Sequence, residues 1–539
     1  MSQDPDIKSI LTRLGTQAQQ FSASDHHLKF LIDQTERHQR FSFRGGGLFY
    51  DISRQRVDEP TMDLLFALAE KKALIEKFDG MNRGSIVNLT EQRAALHTAS
   101  RSFSGNPVEV NGSNVMPDIA GEREAIETFS NAVRRGTIKG STGKAFEHVV
   151  VVGIGGSYLG AAFVNAALEP LSDHRFRLHF LSNVDPREFA GLISNIDPET
   201  TLWIIVSKSY TTTETLANAQ AVTTFISTRG LDPTQHCIAV TKKGSPGDDP
   251  THSVLRTFHM FDFIGGRYAV SSAVGGVPLS IVYGYDVFER FLKGAEEMDH
   301  HSIHAPIEKN LPLISALISV WNYSFLGYRA QAIVPYASPL RKLAPHIQQL
   351  HMESNGKSVD TSGTALKEPV GYVIFGEPGT NAQHSFFQLA HQGRPFPTEF
   401  LGVIQPPDNA GETASSGVTN HQELWANMVS QATALAIGKD DENPTKHFPG
   451  NRPSSTLLLT DLSPENIGRL LSFYEARTIF EGFLWDINPF DQFGVELGKT
   501  TARGLREEIA AKNKEPDHDF SNLDPINRFY LETLFSGKL

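Results

Sequence analysis

The sequence predicts an α/β protein with two αβα sandwich domains built on parallel-rich sheets, a helical N-terminal region and a helical C-terminal tail. From residue 147 onward, short apolar runs rich in β-branched residues alternate with segments of helical periodicity, a pattern typical of parallel strands covered by helices on both faces. An uncharged stretch of 18 residues, 311–328, interrupts this alternation and separates two groups of candidate strands. We therefore expect an N-terminal region over 1–115, sandwich domains over 120–290 and 320–500, and a tail over 501–539.

The N-terminal region has a mostly helical pattern, because leucines between residues 61 and 77 recur near a 3.6-residue period. Gly45–Gly47 marks a turn before the apolar pair Leu48 and Phe49. Further along the chain, apolar runs bounded by turn residues are candidate strands. They are His148–Ile154, Phe176–Asn183, Leu202–Ser207, Cys237–Thr241, Ala332–Tyr336, Val370–Phe375, Phe400–Ile404 and Ser455–Leu459.

Charge and cysteine content exclude several classes of protein. The 49 basic and 61 acidic residues give a net charge of −12, so we do not expect nucleic acid or an anionic membrane surface as the main partner. Cys237 is the only cysteine, which excludes an intrachain disulfide and a cysteine-based zinc site and suits a reducing compartment. The N-terminus lacks a signal-peptide pattern, and 311–328 contains Pro312 and several serines, so it predicts a buried helix rather than a membrane span. We expect a cytoplasmic protein.

The first strand of the first domain ends in a glycine-rich turn, Gly153-Ile-Gly-Gly-Ser-Tyr-Leu-Gly160. Glycine lets a backbone approach an anion closely, and the following helix start offers free N–H groups. Two other interpretations stay open at this point. A dinucleotide fingerprint would need glycine in place of Tyr158, although Asp185 could serve as its ribose-binding acid. The turn could also connect strand and helix without any ligand.

The third strand runs into the hydroxyl-rich segment Ser207-Lys-Ser-Tyr-Thr-Thr-Thr-Glu-Thr215. Hydroxyls and helix N-terminal amides both donate hydrogen bonds to phosphate oxygens. Ordinary helix capping is the alternative, but capping needs one Ser or Thr and this segment has six. Both candidate anion sites follow strands of one parallel sheet, and ligands of such sheets bind at the carboxyl ends of the strands.

Two further segments resemble known functional motifs but depart from them. Glu353–Ser358 and Gly494–Thr500 resemble the end of a nucleotide-binding P-loop, but His351 replaces the first glycine in one and the other is one residue short. His300, His301 and His304 follow an acidic stretch, and we interpret this segment as a polar, solvated helix exit rather than a metal site. No metal-ligating residues are predicted.

Taken together, nine segments in order resemble the glucose-6-phosphate isomerase (phosphoglucose isomerase) family from about residue 50 to residue 505. The segments are VNLTEQRAALH (87–97), VVGIGGSYLG (151–160), SNVDP (182–186), SKSYTTTET (207–215), GGRYAVSSAVG (265–275), QQLHMESNGKS (348–358), GEPGTNAQHSFFQLAHQG (376–393), PGNRPSS (449–455) and DQFGVELGK (491–499). The resemblance implies two sandwich domains of the sugar-isomerase type.

The resemblance also implies an activity: interconversion of glucose 6-phosphate and fructose 6-phosphate, a step of glycolysis and gluconeogenesis, without a metal or organic cofactor. Glu353 matches the proton-transferring base, and Arg267 matches the arginine beside the developing enediolate. Lys499 matches the lysine near the ring oxygen. His384 matches the ring-opening histidine, which in this family comes from the neighbouring subunit, so a homodimer with shared active sites is implied.

The remaining matches concern substrate binding. The phosphate-binding set implied by the resemblance is Gly156, Ser157, Ser207, Lys208, Ser209 and Thr212, and the sugar-contacting glutamines are Gln349 and Gln492. Three positions depart from the family pattern: Ala382, Ser209 and Ala269 stand where glycine, threonine and serine are common. None of them removes a proton-transfer group, but Ala382 adjoins the segment that carries His384.

Two alternative functions stay open. A non-catalytic sugar-phosphate sensor would need only the phosphate-binding set, so the presence of Glu353, His384 and Lys499 disfavours it. An isomerase that also accepts mannose 6-phosphate would use the same residues, and the sequence does not distinguish the two sugars.

Overall fold

The computed structural model describes residues 6–249, 254–406 and 417–539. The chain divides into two compact units, residues 1–490 and 491–539. Both large sheets belong to the first unit, and the second unit is helical.

The described residues form thirteen strands and nineteen α-helices. The strands are β1 (Ser42–Gly45), β2 (Leu48–Asp51), β3 (Glu109–Val110), β4 (Ser113–Asn114), β5 (His148–Val152), β6 (Arg177–Leu181), β7 (Thr201–Val206), β8 (Cys237–Thr241), β9 (Arg256–His259), β10 (Ala330–Pro335), β11 (Val373–Phe375), β12 (Thr398–Val403) and β13 (Ser454–Leu459). The helices are α1 (Ile7–Gln20), α2 (Leu28–Leu31), α3 (Arg37–Arg40), α4 (Glu59–Lys71), α5 (Leu74–Asn82), α6 (Met116–Arg134), α7 (Leu159–Leu168), α8 (Pro186–Ile193), α9 (Thr213–Ser227), α10 (Ala273–Tyr283), α11 (Tyr285–His304), α12 (Leu311–Val320), α13 (Leu343–Asn355), α14 (Gly379–Gln383), α15 (Phe387–Gln392), α16 (Asn420–Ile437), α17 (Pro464–Leu484), α18 (Glu496–Lys514) and α19 (Pro525–Ser536).

The first sheet has five parallel strands in the order β6-β5-β7-β8-β9. Every residue of β5 is buried, and its valines alternate between two apolar cores. Val149 and Val151 pack in the core that includes residues of α6 and α10, whereas Val150 and Val152 pack in the core that includes residues of α9. Successive residues of a strand point to opposite faces of the sheet. Because both faces of this sheet are covered, the strand sequence is continuously apolar.

The second sheet has six strands in the order β1-β2-β13-β12-β10-β11. Strands β10 to β13 pair in parallel, whereas β2 pairs antiparallel with both β1 and β13. Ala332 and Val334 of β10 pack in a core with residues of α15 and α16, and Ile333 packs in the largest core, which includes residues of α13 and α17. This sheet is thus also covered on both faces.

The α/β fold with two parallel-rich sheets is confirmed, and each predicted strand is present with small shifts of its ends. The N-terminal region is mostly helical, but it also contributes β1 and β2 to the second sheet, which we did not predict. These strands have only four residues each and are joined at Gly46 and Gly47, both with positive φ. Strand β9 was also missed. The division into a helical region over 1–115, sandwich domains over 120–290 and 320–500 and a tail over 501–539 stays a prediction.

Strand β11 begins three residues later than predicted. Gly371 has a φ of +90°, and a methyl group there would lie 2.8 Å from the carbonyl oxygen of Asn355. This close approach keeps the backbone out of the sheet until Val373. The predicted helix over 311–328 is α12, which continues into a wide π turn over Trp321–Phe325. In the described parts of the chain, no helix has both the length and the apolar composition of a membrane span.

Candidate active site

The glycine turn after β5 packs directly against the loop that carries Arg267. Gly155 has a φ of +58°, a left-handed conformation that glycine adopts without strain. A methyl group on Gly156 would lie 2.6 Å from the backbone nitrogen of Arg267, so this approach requires glycine. The turn that was predicted as an anion site therefore also brings Arg267 next to the end of β5.

The hydroxyl-rich loop follows β7, the hydrogen-bonded neighbour of β5, so both candidate anion sites lie at the same edge of the sheet. A methyl group on Gly153 would lie 2.9 Å from Cβ of Ser157 and 3.3 Å from the carbonyl oxygen of Val206. Ser157 therefore lies close to the end of β7. Ser207 is buried, and its Oγ accepts a hydrogen bond from the backbone N–H of Tyr210 at 3.1 Å.

This loop has more hydroxyl groups than the capping of α9 requires. Thr212 occupies the N-cap position of α9, yet among the described residues its side chain makes no capping hydrogen bond. Ser209 and Thr211 are exposed, and their hydroxyl oxygens lie 2.7 Å apart. The loop thus presents hydroxyl donors next to a helix start, which is the chemistry of an anion site.

Lys208 is held by the loop that follows β9. Its Nζ donates hydrogen bonds to the carbonyl oxygens of Asp262 (2.8 Å) and Ile264 (2.9 Å), and the Asp262 carboxylate lies 3.8 Å away. Burial lowers the pKa of the Lys208 ammonium to about 8, and the nearby Arg93 guanidinium adds to this decrease, whereas the Asp262 charge opposes it. Lys208 thus places a partly desolvated positive charge beside the hydroxyl groups.

Glu353 lies on α13 with its carboxylate next to a buried guanidinium. Oε2 of Glu353 is 3.8 Å from Nη1 of Arg267 and accepts a hydrogen bond from Nε2 of Gln349 at 3.0 Å. A methyl group on Gly155 would lie 3.2 Å from the same Gln349 nitrogen. The structure therefore brings Glu353, Arg267 and Gln349 together at the glycine turn.

Arg267 is only 3% exposed and is fixed by its neighbours. Its Nε donates to Oγ of Ser354 (2.6 Å), and its Nη2 donates to the carbonyl oxygen of Pro489 (2.7 Å). Since these groups hold the guanidinium in place, Arg267 can stabilise negative charge near Glu353 with little rearrangement. Oε1 of Gln349 is buried without a hydrogen-bond partner among the described residues, so it can accept a hydrogen bond from a ligand hydroxyl.

Sequence analysis missed a polar cluster on the other face of α13. Nδ1 of His351 lies 2.9 Å from Glu481, and Nδ2 of Asn355 donates to the same carboxylate at 3.0 Å. Tyr372 also donates to Glu481 (2.8 Å), and Nε of Arg477 lies 3.1 Å from it. A spacing of four residues between two polar side chains in a buried helix was the signal that could have revealed this cluster.

The charges around Glu481 determine its protonation. Burial by itself raises the pKa of this carboxyl group, but the charges of His351 and Arg477 and the hydrogen bonds from His351 and Tyr372 lower the pKa to about 2. Glu481 is therefore ionised at neutral pH and fixes the face of α13 opposite to Glu353.

His384 follows α14, and its side chain is exposed. Within the described residues, no hydrogen bond or ion pair joins it to Glu353 of the same chain. Ala382 lies inside α14 with its side chain buried, so alanine at this position fits the helical backbone. The structure thus leaves His384 available at the surface, and its role stays a prediction.

Lys499 and Gln492 belong to the second unit, so their part in the site also stays a prediction. Lys499 lies on α18, where its exposed ammonium is 2.8 Å from Oε1 of Glu496. Gln492 precedes the short 3₁₀ turn Phe493–Val495.

Comparisons with known proteins identify the family of this chain. The sequence profile of the phosphoglucose isomerase family matches residues 51–524, which is most of the chain. This chain belongs to the phosphoglucose isomerase family. A relative named glucose-6-phosphate isomerase, from Desulfosudis oleivorans, is 57% identical and the match covers 97% of this chain and 96% of that protein. This member of the family is therefore an enzyme of the isomerase class.

Two further matches are a rice protein and a solved structure. A rice protein named cytosolic glucose-6-phosphate isomerase A (Oryza sativa subsp. japonica) is 45% identical, with 93% of this chain and 91% of that protein covered. The crystal structure of a glucose-6-phosphate isomerase from Chlamydia trachomatis superposes with a TM-score of 0.88 at 37% identity, covering 98% of both chains. This phosphoglucose isomerase family member therefore shares its fold with a crystallographically characterised relative.

Proposed function

We propose that this chain interconverts glucose 6-phosphate and fructose 6-phosphate, a step of glycolysis and gluconeogenesis, with Glu353 as the group that moves the proton. The observation that carries the proposal is the Glu353 carboxylate, 3.8 Å from the buried guanidinium of Arg267, at the glycine turn of the first sheet. The names of relatives up to 57% identical support the choice of substrate.

The substrate phosphate binds at the carboxyl ends of β5 and β7. Gly156 and Ser157 on one loop and Ser207, Ser209 and Thr212 on the other supply N–H and hydroxyl donors, and Lys208 supplies positive charge. Because the phosphate is not bonded to the reacting carbons, these contacts orient the sugar rather than take part in its chemistry.

The isomerisation step moves a carbonyl between C1 and C2 of the open sugar. The Glu353 carboxylate removes the proton from C2 of glucose 6-phosphate, and the electron pair of that C–H bond forms the C1–C2 double bond of an enediolate. The hydroxyl proton of O2 then passes to O1, the C2–O2 carbonyl forms, and Glu353 returns its proton to C1, which gives fructose 6-phosphate. One carboxylate can perform both transfers because the two carbons are adjacent. Arg267, which is already fixed by Ser354 and Pro489, stabilises the enediolate oxygens.

Ring opening requires a base at O1 and an acid at the ring oxygen. We assign these roles to His384, contributed by the neighbouring subunit of a homodimer, and to Lys499. Gln349 and Gln492 contact the sugar hydroxyls. The exposure of His384 supports its use by another subunit. Exposed apolar side chains of the second unit, Phe493, Leu497, Tyr530 and Leu534 among them, support an interface with a second copy.

We also propose that the reaction needs no metal or organic cofactor and takes place in the cytoplasm. Proton transfer between adjacent carbons requires no redox change, so the side chains named above are sufficient. The cytosolic names of the plant relatives support the location. Activity in a coupled assay should be the same with and without a chelator.

The decisive experiment is the substitution Glu353→Gln. The variant keeps the size and polarity of the side chain but removes the base, so kcat should fall by about 10²–10⁴-fold while the Kd for fructose 6-phosphate stays close to that of the wild type. Glu308→Gln, an exposed glutamate outside the site, is the matched control and should keep full activity. Wild-type turnover by Glu353→Gln would show that the base is assigned wrongly.

A further inference from the structure

The sequence suggested a helix exit at the histidines of α11, but the helix does not end there. It continues through His304, so His300 and His304 lie one turn apart on a regular helix. Both side chains are exposed, and their ring centroids are 4.2 Å apart with the planes inclined at 51°. Among the described residues, neither ring makes a hydrogen bond or an ion pair.

The third histidine of this segment has a different role. His301 is half-buried, and its Nε2 accepts a hydrogen bond from the backbone N–H of Leu311 at 3.1 Å. It therefore joins α11 to α12 and is not available as a ligand. The imidazoles of His300 and His304 form a pair that, among the described residues, joins no other element by a hydrogen bond or an ion pair.

We propose that His300 and His304 form a two-imidazole chelate for a divalent transition-metal ion, and that Cu²⁺ is the ion this pair favours. Neutral imidazole is a good ligand for Cu²⁺, Ni²⁺ and Zn²⁺. Since no hydrogen bond restrains either ring, each can turn about its Cβ–Cγ bond, which leaves the ring centre nearly in place, until one nitrogen of each points to a common ion. The fixed helix supplies the spacing and removes most of the ordering cost of the second ligand.

The ring separation favours one coordination geometry. A metal–nitrogen bond of ~2.0 Å places the ion ~3.2 Å from the centre of each ring. Two such rings at a right angle have centroids ~4.5 Å apart, whereas the tetrahedral angle requires ~5.2 Å. The observed 4.2 Å is closer to the right angle. Right-angled sites are typical of tetragonal Cu²⁺ and Ni²⁺, and Cu²⁺ binds nitrogen ligands more tightly than Ni²⁺ or Zn²⁺ does.

The neighbouring charges set the expected strength of binding. Glu297, three residues before His300, has its carboxylate 2.8 Å from Nε of Arg469, so its charge is already paired. In the parts of the chain that the structure describes, no three His, Cys, Asp or Glu side chains form a metal cluster. The pair therefore supplies two ligands and water completes the coordination, which predicts reversible binding rather than a structural ion.

The test is a calorimetric titration of the untagged full-length protein with copper sulfate in a non-chelating buffer. His300→Ala and His304→Ala should each weaken the binding of one Cu²⁺ at least tenfold, and the double variant should be no weaker than either single variant. Zn²⁺ should bind this site less tightly than Cu²⁺. His38→Ala is the control, because His38 is exposed and has no histidine one turn away in sequence.

Two results would overturn the proposal. If either single variant binds Cu²⁺ with wild-type affinity and stoichiometry, the pair is not the site. If Zn²⁺ binds the pair as tightly as Cu²⁺, the geometric argument for the ion is wrong. The isomerase rate without metal is measured for every variant and should not change, because neither histidine belongs to the proposed active site.

Discussion

Nδ1 of His351 lies 2.9 Å from the carboxylate of Glu481, and both side chains are buried. His351 precedes Glu353 by two residues on α13, which places the two side chains on different faces of the helix. The pair therefore fixes the rotation of α13 and, with it, the direction in which Glu353 points. His351 and Glu481 are positioning residues for the proposed base.

Glu481→Gln should be strongly destabilising. The variant leaves Arg477 and His351 with one buried negative charge fewer, and losing one partner of a buried ion pair costs about 3–5 kcal/mol. Urea unfolding measures this loss. Glu465→Gln on the same helix breaks a more exposed pair with Arg290 and should cost at most ~1 kcal/mol. Equal losses for the two variants would contradict the proposed importance of the buried cluster.

The hydroxyl-rich loop should contribute chiefly to the binding of phosphorylated sugars. Replacing Ser207 and Thr212 together by alanine removes two donors to the phosphate, so the Kd for fructose 6-phosphate should increase at least tenfold, since hydrogen bonds to charged groups are each worth about 1.5–3 kcal/mol. Thr224→Ala, an exposed residue of α9, is the control. An unchanged Kd in the double variant would remove this loop from the phosphate site.

The value of kcat/KM, which reports the reaction of free enzyme with free substrate, should decrease at alkaline pH. Lys208 is protonated below its pKa of about 8 and neutral above it, so raising the pH through this value removes a positive charge from the phosphate site. The substrate phosphate stays doubly ionised over this range, because its second pKa is about 6. Accordingly, kcat/KM for fructose 6-phosphate should decrease above pH ~8.

Lysine variants separate this effect from other titrations. Lys208→Met should have lower kcat/KM at neutral pH and should lack the alkaline decrease that depends on Lys208. Lys242→Met removes the more exposed ammonium that also pairs with Asp262, and it should keep the decrease. If Lys208→Met and the wild type have the same pH profile, Lys208 does not supply the charge.

Hybrid dimers should recover activity if the active site is shared. Inactive Glu353→Gln protein mixed with inactive His384→Ala protein should form dimers in which one site has both wild-type groups. At random exchange half of the dimers are hybrids with one active site each, so recovery should approach about a quarter of wild-type activity. No recovery in a mixture shown to exchange subunits would place His384 and Glu353 in the same chain's site.

Local sequence signals predicted the strands well but could not predict the distances between site residues. The all-apolar runs of β5 and β7 identified buried strands, and glycine and hydroxyl residues after them identified the loops. The contact between Arg267 and Glu353 depends on Gly156, which lets two loops meet that are far apart in sequence. Only the packed structure shows this approach.

The His351 cluster and the N-terminal hairpin were missed for physical reasons. The four-residue spacing of His351 and Asn355 marks a polar face of α13, but it does not identify the partner of that face. The partner, Glu481, belongs to a separate helix. Strands β1 and β2 have four residues each, which is too short for a two-residue period to stand out against helical neighbours.

The pairing of β2 with β13 has a consequence for the order in which the chain can fold. The first sheet uses only residues from 148 to 259, so it can form as soon as that part of the polypeptide has been synthesised. The second sheet cannot be completed until β13 emerges, about 400 residues after β2. During translation, the edge of β2 that pairs with β13 therefore stays unpaired until β13 has been synthesised, and an unpaired strand edge can associate with other chains.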